Sequence, residues 1–287
     1  MAERLSSKKK HKKKEAPSLD EKEMSFWDHL KELRGTFVRS LSAIVIFAII
    51  AFVNKNFIFN EIILSVKESD FITNRVLCYL GQLLGIDYFC VKELALEIIN
   101  INMSGQFMTH MYISFVAGFI VSAPYIIYEF WRFIKPALYD EEQKSSSVVV
   151  IICSVLFFLG VLFSFFLIVP LTLNFFGSYH VSETVKNQIS LDSYISTVIT
   201  VTLSLGLVFE LPVLIYFLTK VGIVSIEFLK RNRKYTLVIV LILSAIVTPP
   251  DVFSQVMVAG PLMLLYEFSI WAAVRAEKQE RDKVVED

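Results

Sequence analysis

The chain has 287 residues, with 28 basic and 28 acidic side chains and a formal net charge of zero. Apolar residues make up 55% of it and aromatic residues 14%, which is above the roughly 45 to 50% apolar content of soluble domains. This composition excludes an ordinary soluble domain and indicates an integral membrane protein. The net charge adds up side chains on both faces of a membrane, so its value neither supports nor excludes nucleic-acid binding. For an integral membrane protein we expect no nucleic-acid partner.

Six apolar runs predict an all-α membrane protein with six transmembrane helices: 37–53, 107–128, 148–173, 195–218, 235–248 and 252–266. A polar lead of 36 residues precedes the first run, so we interpret that run as a retained anchor and not as a cleavable signal peptide. The fifth run has 14 residues and covers about 21 Å, against a hydrocarbon thickness of about 30 Å. We therefore expect the last two helices to be short and the outer face to carry a notch between them.

The distribution of basic side chains predicts the orientation. Of the 28 Lys and Arg residues, 23 fall in segments on one side of the predicted membrane and five on the other. The positive-inside rule then places both termini in the cytoplasm. The predicted organisation is a disordered basic tail (1–24), a six-helix membrane domain (25–276) with a long first external loop (54–105), and a charged cytoplasmic tail (277–287).

The cysteines give no metal-binding pattern. Cys78 and Cys90 both fall in the first external loop, where a disulfide between them would persist in an oxidising compartment. Two free thiols are the alternative. No cofactor or metal site is predicted.

Glu210 is the only residue of the stretch 198–218 whose side chain is charged at neutral pH. An acidic side chain at the centre of a membrane helix costs roughly 2.5 to 3.5 kcal/mol, so it implies a partner, a wet cavity or a bound proton. A proline inside a span frees the carbonyl one turn earlier, which predicts bends near Val208 from Pro212 and near Ile120 from Pro124. An acid and a bend therefore share one place in the fourth span.

Four sequence segments in fixed order resemble the TatC subunit of the twin-arginine protein translocase: 26–34 (FWDHLKELR), 122–139 (SAPYIIYEFW and FIKPALY), 209–213 (FELPV) and 248–255 (TPPDVFSQ). The resemblance covers about residues 25–275. It implies a receptor and core subunit in the bacterial inner membrane, which binds precursors bearing an Arg-Arg signal peptide and exports them folded, using the proton gradient. It further implies small single-span TatA-like and TatB-like partners and a homo-oligomer within the complex. No enzymatic activity is expected, and no phosphate-binding loop motif occurs.

By this resemblance, Glu32 and Glu142 read the paired arginines, with Arg34 and Phe133 beside them. Carboxylates suit this role because guanidinium groups bind them in a bidentate manner and stay charged. Asp140 and Glu141 adjoin Glu142, so the acid that makes the contact stays open within that triplet. The alternative for Phe133 is an ordinary interfacial aromatic residue.

The resemblance also makes Glu210 a polar contact for the single-span partners, and Gln255 and Glu267 are candidates to share that network. The alternatives are a wet helix start for Gln255 and a carboxyl near the inner interface for Glu267. A proton-coupled carrier of small solutes is the alternative function, since a lone membrane acid beside a proline suits one. Such a carrier should show several convergent polar groups and a repeated half, which this sequence lacks.

Overall fold

The structure is a computed structural model that describes residues 26–68, 70–84, 97–135, 146–179, 182, 187–247 and 252–286. Within these residues the chain forms helices and two short strands in the order α1 (Phe26–Val53), α2 (Ile72–Leu84), β1 (Glu97–Ile99), α3 (Gly105–Ile134), α4 (Ser146–Phe163), α5 (Val169–Ser178), β2 (Gln188–Ser190), α6 (Leu191–Val208), α7 (Leu211–Lys220), α8 (Ile226–Arg231), α9 (Arg233–Val247) and α10 (Val252–Glu286).

The predicted six-span, all-helical fold is confirmed. In the part of the chain that the structure describes, five segments are long and apolar enough to cross a membrane: His29–Val53, Gly105–Ile134, Val148–Ser178, Leu191–Lys220 and Gln255–Arg275. α9 supplies the sixth crossing and has 15 residues, so it is short, as predicted. We call the side where α1 begins, α3 and α7 end, and α10 finishes the basic face, because its segments are rich in Lys and Arg.

The last helix differs from the prediction in its length. The apolar part of α10 has 21 residues, but the helix continues through the charged segment to Glu286 and reaches 35 residues. That segment is rich in Glu, Lys, Gln and Arg, which are strong helix formers. It extends the helix, although its polarity marks the end of the membrane crossing.

α1 and α3 pack antiparallel along their full lengths. At one end the rings of His29 and Phe133 stack with their centroids 4.4 Å apart, and at the other end Phe52 and His110 stack at 4.1 Å. Between these ends, Gly118 lies against the backbone of α1 so closely that a Cβ atom there would meet the Ala48 nitrogen at 2.5 Å. Glycine permits this approach, as small residues commonly do between membrane helices.

The third span (α4 and α5) and the fourth span (α6 and α7) meet in the buried core. Ile168 and Leu205 are fully buried there. A Cβ atom on Gly160 would lie 2.8 Å from the Leu205 carbonyl oxygen and 2.8 Å from the ring of Phe209. This close approach fixes the end of α6, which is where the predicted membrane site lies.

Two prolines interrupt the spans. The fourth span breaks between Val208 and Leu211, with Pro212 in the first turn of α7, which is the place where the sequence predicts a bend. Pro170 stands just after a π-helical turn, Ser164–Ile168. α3 is helical throughout and contains Pro124, so this proline does not interrupt the helix.

The external loop packs on the defect that Pro170 creates. Proline lacks a backbone N–H, so the carbonyl of Phe166, four residues earlier, loses the donor that an α-helix would supply at position 170. The hydroxyl of Thr73, in the loop helix α2, donates a hydrogen bond to that carbonyl. β1 and β2 pair in parallel with Ile98 opposite Ile189, which joins the first external connection to the second.

Candidate functional site

The first candidate site, which we call the seam, lies on the basic face where α1 begins and α3 ends. It consists of His29, Glu32, Thr36 and Arg39 from α1 and Tyr125, Glu129 and Phe133 from α3. The α1 members recur at intervals of three and four residues and therefore share one face of the helix. The seam places acidic, basic and aromatic side chains between two helices that cannot separate without losing their packing.

Glu32 carries an unpaired oxygen in this seam. Its side chain is half-buried, and Oε2 is fully buried with no hydrogen-bond partner among the described residues. One turn earlier on α1, His29 stacks on Phe133 with an interplanar angle of 27°. A buried acceptor without a donor is costly, by about 1 to 3 kcal/mol, so this oxygen is well suited to receive a donor from a bound ligand.

Arg39 and Glu129 form an ion pair deeper in the seam. Arg39 Nε donates to Glu129 Oε2 at 2.8 Å and Nη2 lies 2.7 Å from the same oxygen. The Tyr125 hydroxyl donates to Oε1 at 3.2 Å. The Glu129 side chain is only 3% exposed, and these contacts compensate the charge that its burial would otherwise leave unpaired.

Of the other predicted members of this site, Arg34 is described by the structure and lies apart from the seam. Arg34 is exposed and, two residues from Glu32, lies on a different side of α1. Glu142, Asp140 and Glu141 fall outside the described residues. Their predicted contact with a signal peptide stays a prediction.

Glu210 occupies the break in the fourth span. It precedes the first turn of α7, and it faces the Cys153 thiol and the backbone of Phe157 on α4. Its Oε1 atom is buried and has no hydrogen-bond partner among the described residues. The structure therefore gives this carboxyl a neighbouring helix without satisfying both of its oxygens.

Gln255 and Glu267 have partners other than Glu210. The Gln255 amide donates to the Leu241 carbonyl at 2.9 Å, which ties α10 to α9. Glu267 forms an ion pair with Arg233 at 2.8 Å, and its side chain is 43% exposed. Within this chain they belong to two local contacts, and Glu267 fits the alternative of a carboxyl near the inner interface.

On the opposite face, Cys78 is disulfide-bonded. Cys153, on α4 beside Glu210, is a free and buried thiol. Cys90 lies outside the described residues, so its pairing with Cys78 stays a prediction. Nearby, a hydrogen bond from Arg75 holds the pKa of Asp70 below its ordinary value. No cluster of potential metal ligands occurs among the described residues.

Six crossings, a polar seam on one face and a carboxyl in a broken span define a multi-pass α-helical membrane protein with polar groups at two places in its helical bundle. The family model "Sec-independent protein translocase protein (TatC)" matches residues 28–261. The chain belongs to this family and is a component of the Sec-independent, twin-arginine protein translocase.

Individual relatives cover nearly the whole chain. TatC of Blattabacterium sp. subsp. Periplaneta americana is 41% identical over 263 residues, which cover 91% of this chain and 99% of the relative. TatC of Desulforapulum autotrophicum is 34% identical and the match covers 93% and 90%. A crystal structure described as the twin-arginine translocase receptor TatC superposes with a TM-score of 0.64 and 32% identity, covering 87% of this chain and 99% of that one.

Sequence reasoning missed two parts of these sites. It did not pair Arg39 with Glu129. The available signal was the position of Arg39 seven residues, or two helical turns, after Glu32, which places both side chains on the same face of α1. It also did not place Cys153 beside Glu210, because partners on different helices cannot be read from the spacing within one helix.

Proposed function

We propose that this chain is the signal-peptide receptor of its translocase. Precursors bearing an Arg-Arg signal peptide bind at the basic face, which lies in the cytoplasm together with both termini, at the bacterial inner membrane. The chain forms a homo-oligomer and assembles with single-span TatA-like and TatB-like subunits. Together they export the folded precursor, using the proton gradient as the energy source. The chain carries out no covalent chemistry on the precursor.

The unpaired Glu32 oxygen carries the receptor proposal. A guanidinium group is a fork of fixed donors that stays charged, whereas a lysine ammonium is a compact point charge that retains water strongly. A half-buried carboxyl with one free oxygen therefore favours arginine over lysine. The His29–Phe133 stack, one turn away, offers an apolar surface to the hydrophobic part of a signal peptide. Arg34 and Glu142 complete the proposed site by their positions in the family motifs.

Peptide capture tests this proposal. The detergent-purified chain should bind an Arg-Arg signal peptide and release its Lys-Lys counterpart. Glu32→Gln should weaken Arg-Arg binding by about 10- to 100-fold, because a hydrogen bond to a charged group contributes about 1.5 to 3 kcal/mol. Glu227→Gln is the matched control, since Glu227 is an exposed acid on the same face and should bind normally. Equal capture of both peptides by the unmodified chain would remove the receptor function.

The membrane site at Glu210 supports the second part of the proposal, which is the docking of a single-span partner. A carboxyl at bilayer depth needs a partner, and interhelical polar contacts contribute about 0.6 to 2 kcal/mol. The free Oε1 atom at the helix break meets this need if a polar side chain of another subunit approaches it. Gln255 and Glu267 extend the proposed partner surface over α10.

Co-purification of tagged single-span subunits tests the docking site. Glu210→Leu should reduce the amount of partner recovered, while Ser204→Leu, which replaces a polar residue of the same span with the same side chain, should not. If both variants retain the partner fully, Glu210 is not the docking contact.

A further inference from the structure

We infer that Glu129 is a positioning residue that keeps the receptor site open by holding the chain's own Arg39 away from Glu32. The inference rests on the proposed role of Glu32 as the acid that binds a signal arginine. Arg39 is the chain's own guanidinium on the same helix face as that acid, and an arginine receptor must prevent its own arginine from occupying its site.

Arg39 is within reach of Glu32 unless something holds it. The two residues are seven apart on α1, which is about 10.5 Å along the axis and nearly the same direction around it. Side chains on a helix lean toward its N-terminus, so Arg39 leans toward Glu32. The Arg39 guanidinium already reaches back one turn, where Nη2 donates to the Thr36 hydroxyl at 3.3 Å, and it is within electrostatic range of Glu32.

Glu129 competes successfully for this guanidinium. Two nitrogens of Arg39 converge on its Oε2 atom, at 2.8 and 2.7 Å, and the Tyr125 hydroxyl fixes the other oxygen. Because the Glu129 side chain is almost fully buried while that of Arg39 is 42% exposed, the carboxyl depends on the pair more than the guanidinium does. Consequently the Oε2 atom of Glu32 stays without a donor.

This asymmetry predicts that substitution of Glu129 mainly weakens peptide binding, whereas substitution of Arg39 mainly lowers thermal stability. Glu129→Gln releases Arg39, which can then occupy Glu32, and binding of an Arg-Arg peptide should weaken about fivefold if the new pair contributes about 1 kcal/mol. Arg39→Gln takes the two short contacts from the buried Glu129 carboxylate and leaves it, among the described residues, only the longer ionic contact with Arg132, 4.0 Å from Oε1, so the melting temperature should fall by at least about 5 °C. Its affinity for the peptide should exceed that of Glu129→Gln, because no released Arg39 can occupy Glu32.

The double variant separates this role from a purely structural one. Peptide titration and thermal unfolding should be measured for Glu129→Gln, Arg39→Gln and both together, with Glu129→Met as a second variant that removes every acceptor oxygen. The double variant should bind the peptide more tightly than Glu129→Gln, because the released Arg39 is no longer present to compete, and Glu129→Met should bind at least as weakly as Glu129→Gln.

Two outcomes would overturn the inference alone, with Arg-Arg selectivity of the parent chain intact. One is normal peptide affinity in Glu129→Gln and Glu129→Met. The other is a double variant that binds as weakly as Glu129→Gln, which would mean that Glu129 supports the site without Arg39. Loss of selectivity in the parent chain itself would instead overturn the receptor function and this inference with it.

Discussion

Gly118 is the position where a single methyl group should separate α1 from α3. In Gly118→Ala the added Cβ atom meets the Ala48 nitrogen at 2.5 Å and the Ile44 carbonyl oxygen at 2.8 Å. Both atoms are backbone and cannot rotate away, so the helices must part by about 0.9 Å to restore an ordinary contact of 3.4 Å. Overpacking of this kind destabilises by about 1 to 3 kcal/mol. At about 2 to 4 °C per kcal/mol, a 2 kcal/mol loss lowers the melting temperature by about 4 to 8 °C.

Thermal unfolding in detergent measures this effect, and α10 provides the control. Gly260 has no atom within 4 Å of its ideal Cβ position, so Gly260→Ala adds the same methyl group to a membrane helix without a clash. Alanine favours the helix over glycine by up to about 1 kcal/mol, and this variant should melt at or above the parent temperature. A Gly118→Ala protein that is as stable as Gly260→Ala would refute the close approach of α1 and α3.

Three further predictions concern the external loop and the membrane carboxyl. Thr73→Val removes the donor to the Phe166 carbonyl and should destabilise the docking of α2 by about 1 to 3 kcal/mol; unchanged hydrogen exchange in α2 would show that the contact contributes nothing. Because Arg75 lowers the pKa of Asp70, their contact stabilises the loop above the ordinary aspartate pKa of about 4 and is lost as the pH falls through the lowered value. Acid should therefore expose α2 to proteolysis in the parent, while Asp70→Asn should show a weaker pH dependence. Glu210→Gln should change the dependence of export on an imposed proton gradient; a twin-arginine reporter that is exported as fast as in the parent at every gradient would exclude proton sensing by this residue.

The features predicted correctly from sequence depend on properties of single segments. Apolar runs give the six crossings, because hydrocarbon requires continuous apolar length. The 15-residue length of α9 follows from the distance between its flanking charges and prolines. The break before Pro212 follows from the missing N–H group of proline, which is a local property.

Contacts between segments could not be predicted in this way. Glu129 lies within a segment that resembles a family motif, but the residues around it on α3 do not indicate its ion-pair partner. That partner is Arg39, 90 residues earlier in the chain. Likewise, Pro170 predicts a free carbonyl on Phe166, but only the folded loop shows that Thr73 caps it. In both cases the local sequence identifies a polar group in need of a partner, and the packing of distant helices decides which partner it receives.

Glu32 and Glu210 each have one carboxyl oxygen without a hydrogen-bond partner among the described residues. The free-energy cost differs between the two positions, and this difference indicates how each carboxyl is used. Glu32 lies near the start of α1, where water can solvate its other oxygen, so the site can stand empty between precursors. Glu210 lies within a span, where an unpaired acid costs several kcal/mol and water is scarce. It therefore requires another subunit, a bound proton or local water at all times. A peptide-free receptor is consistent with this structure, whereas a chain without membrane partners should be the less stable state, which favours assembly before precursor binding.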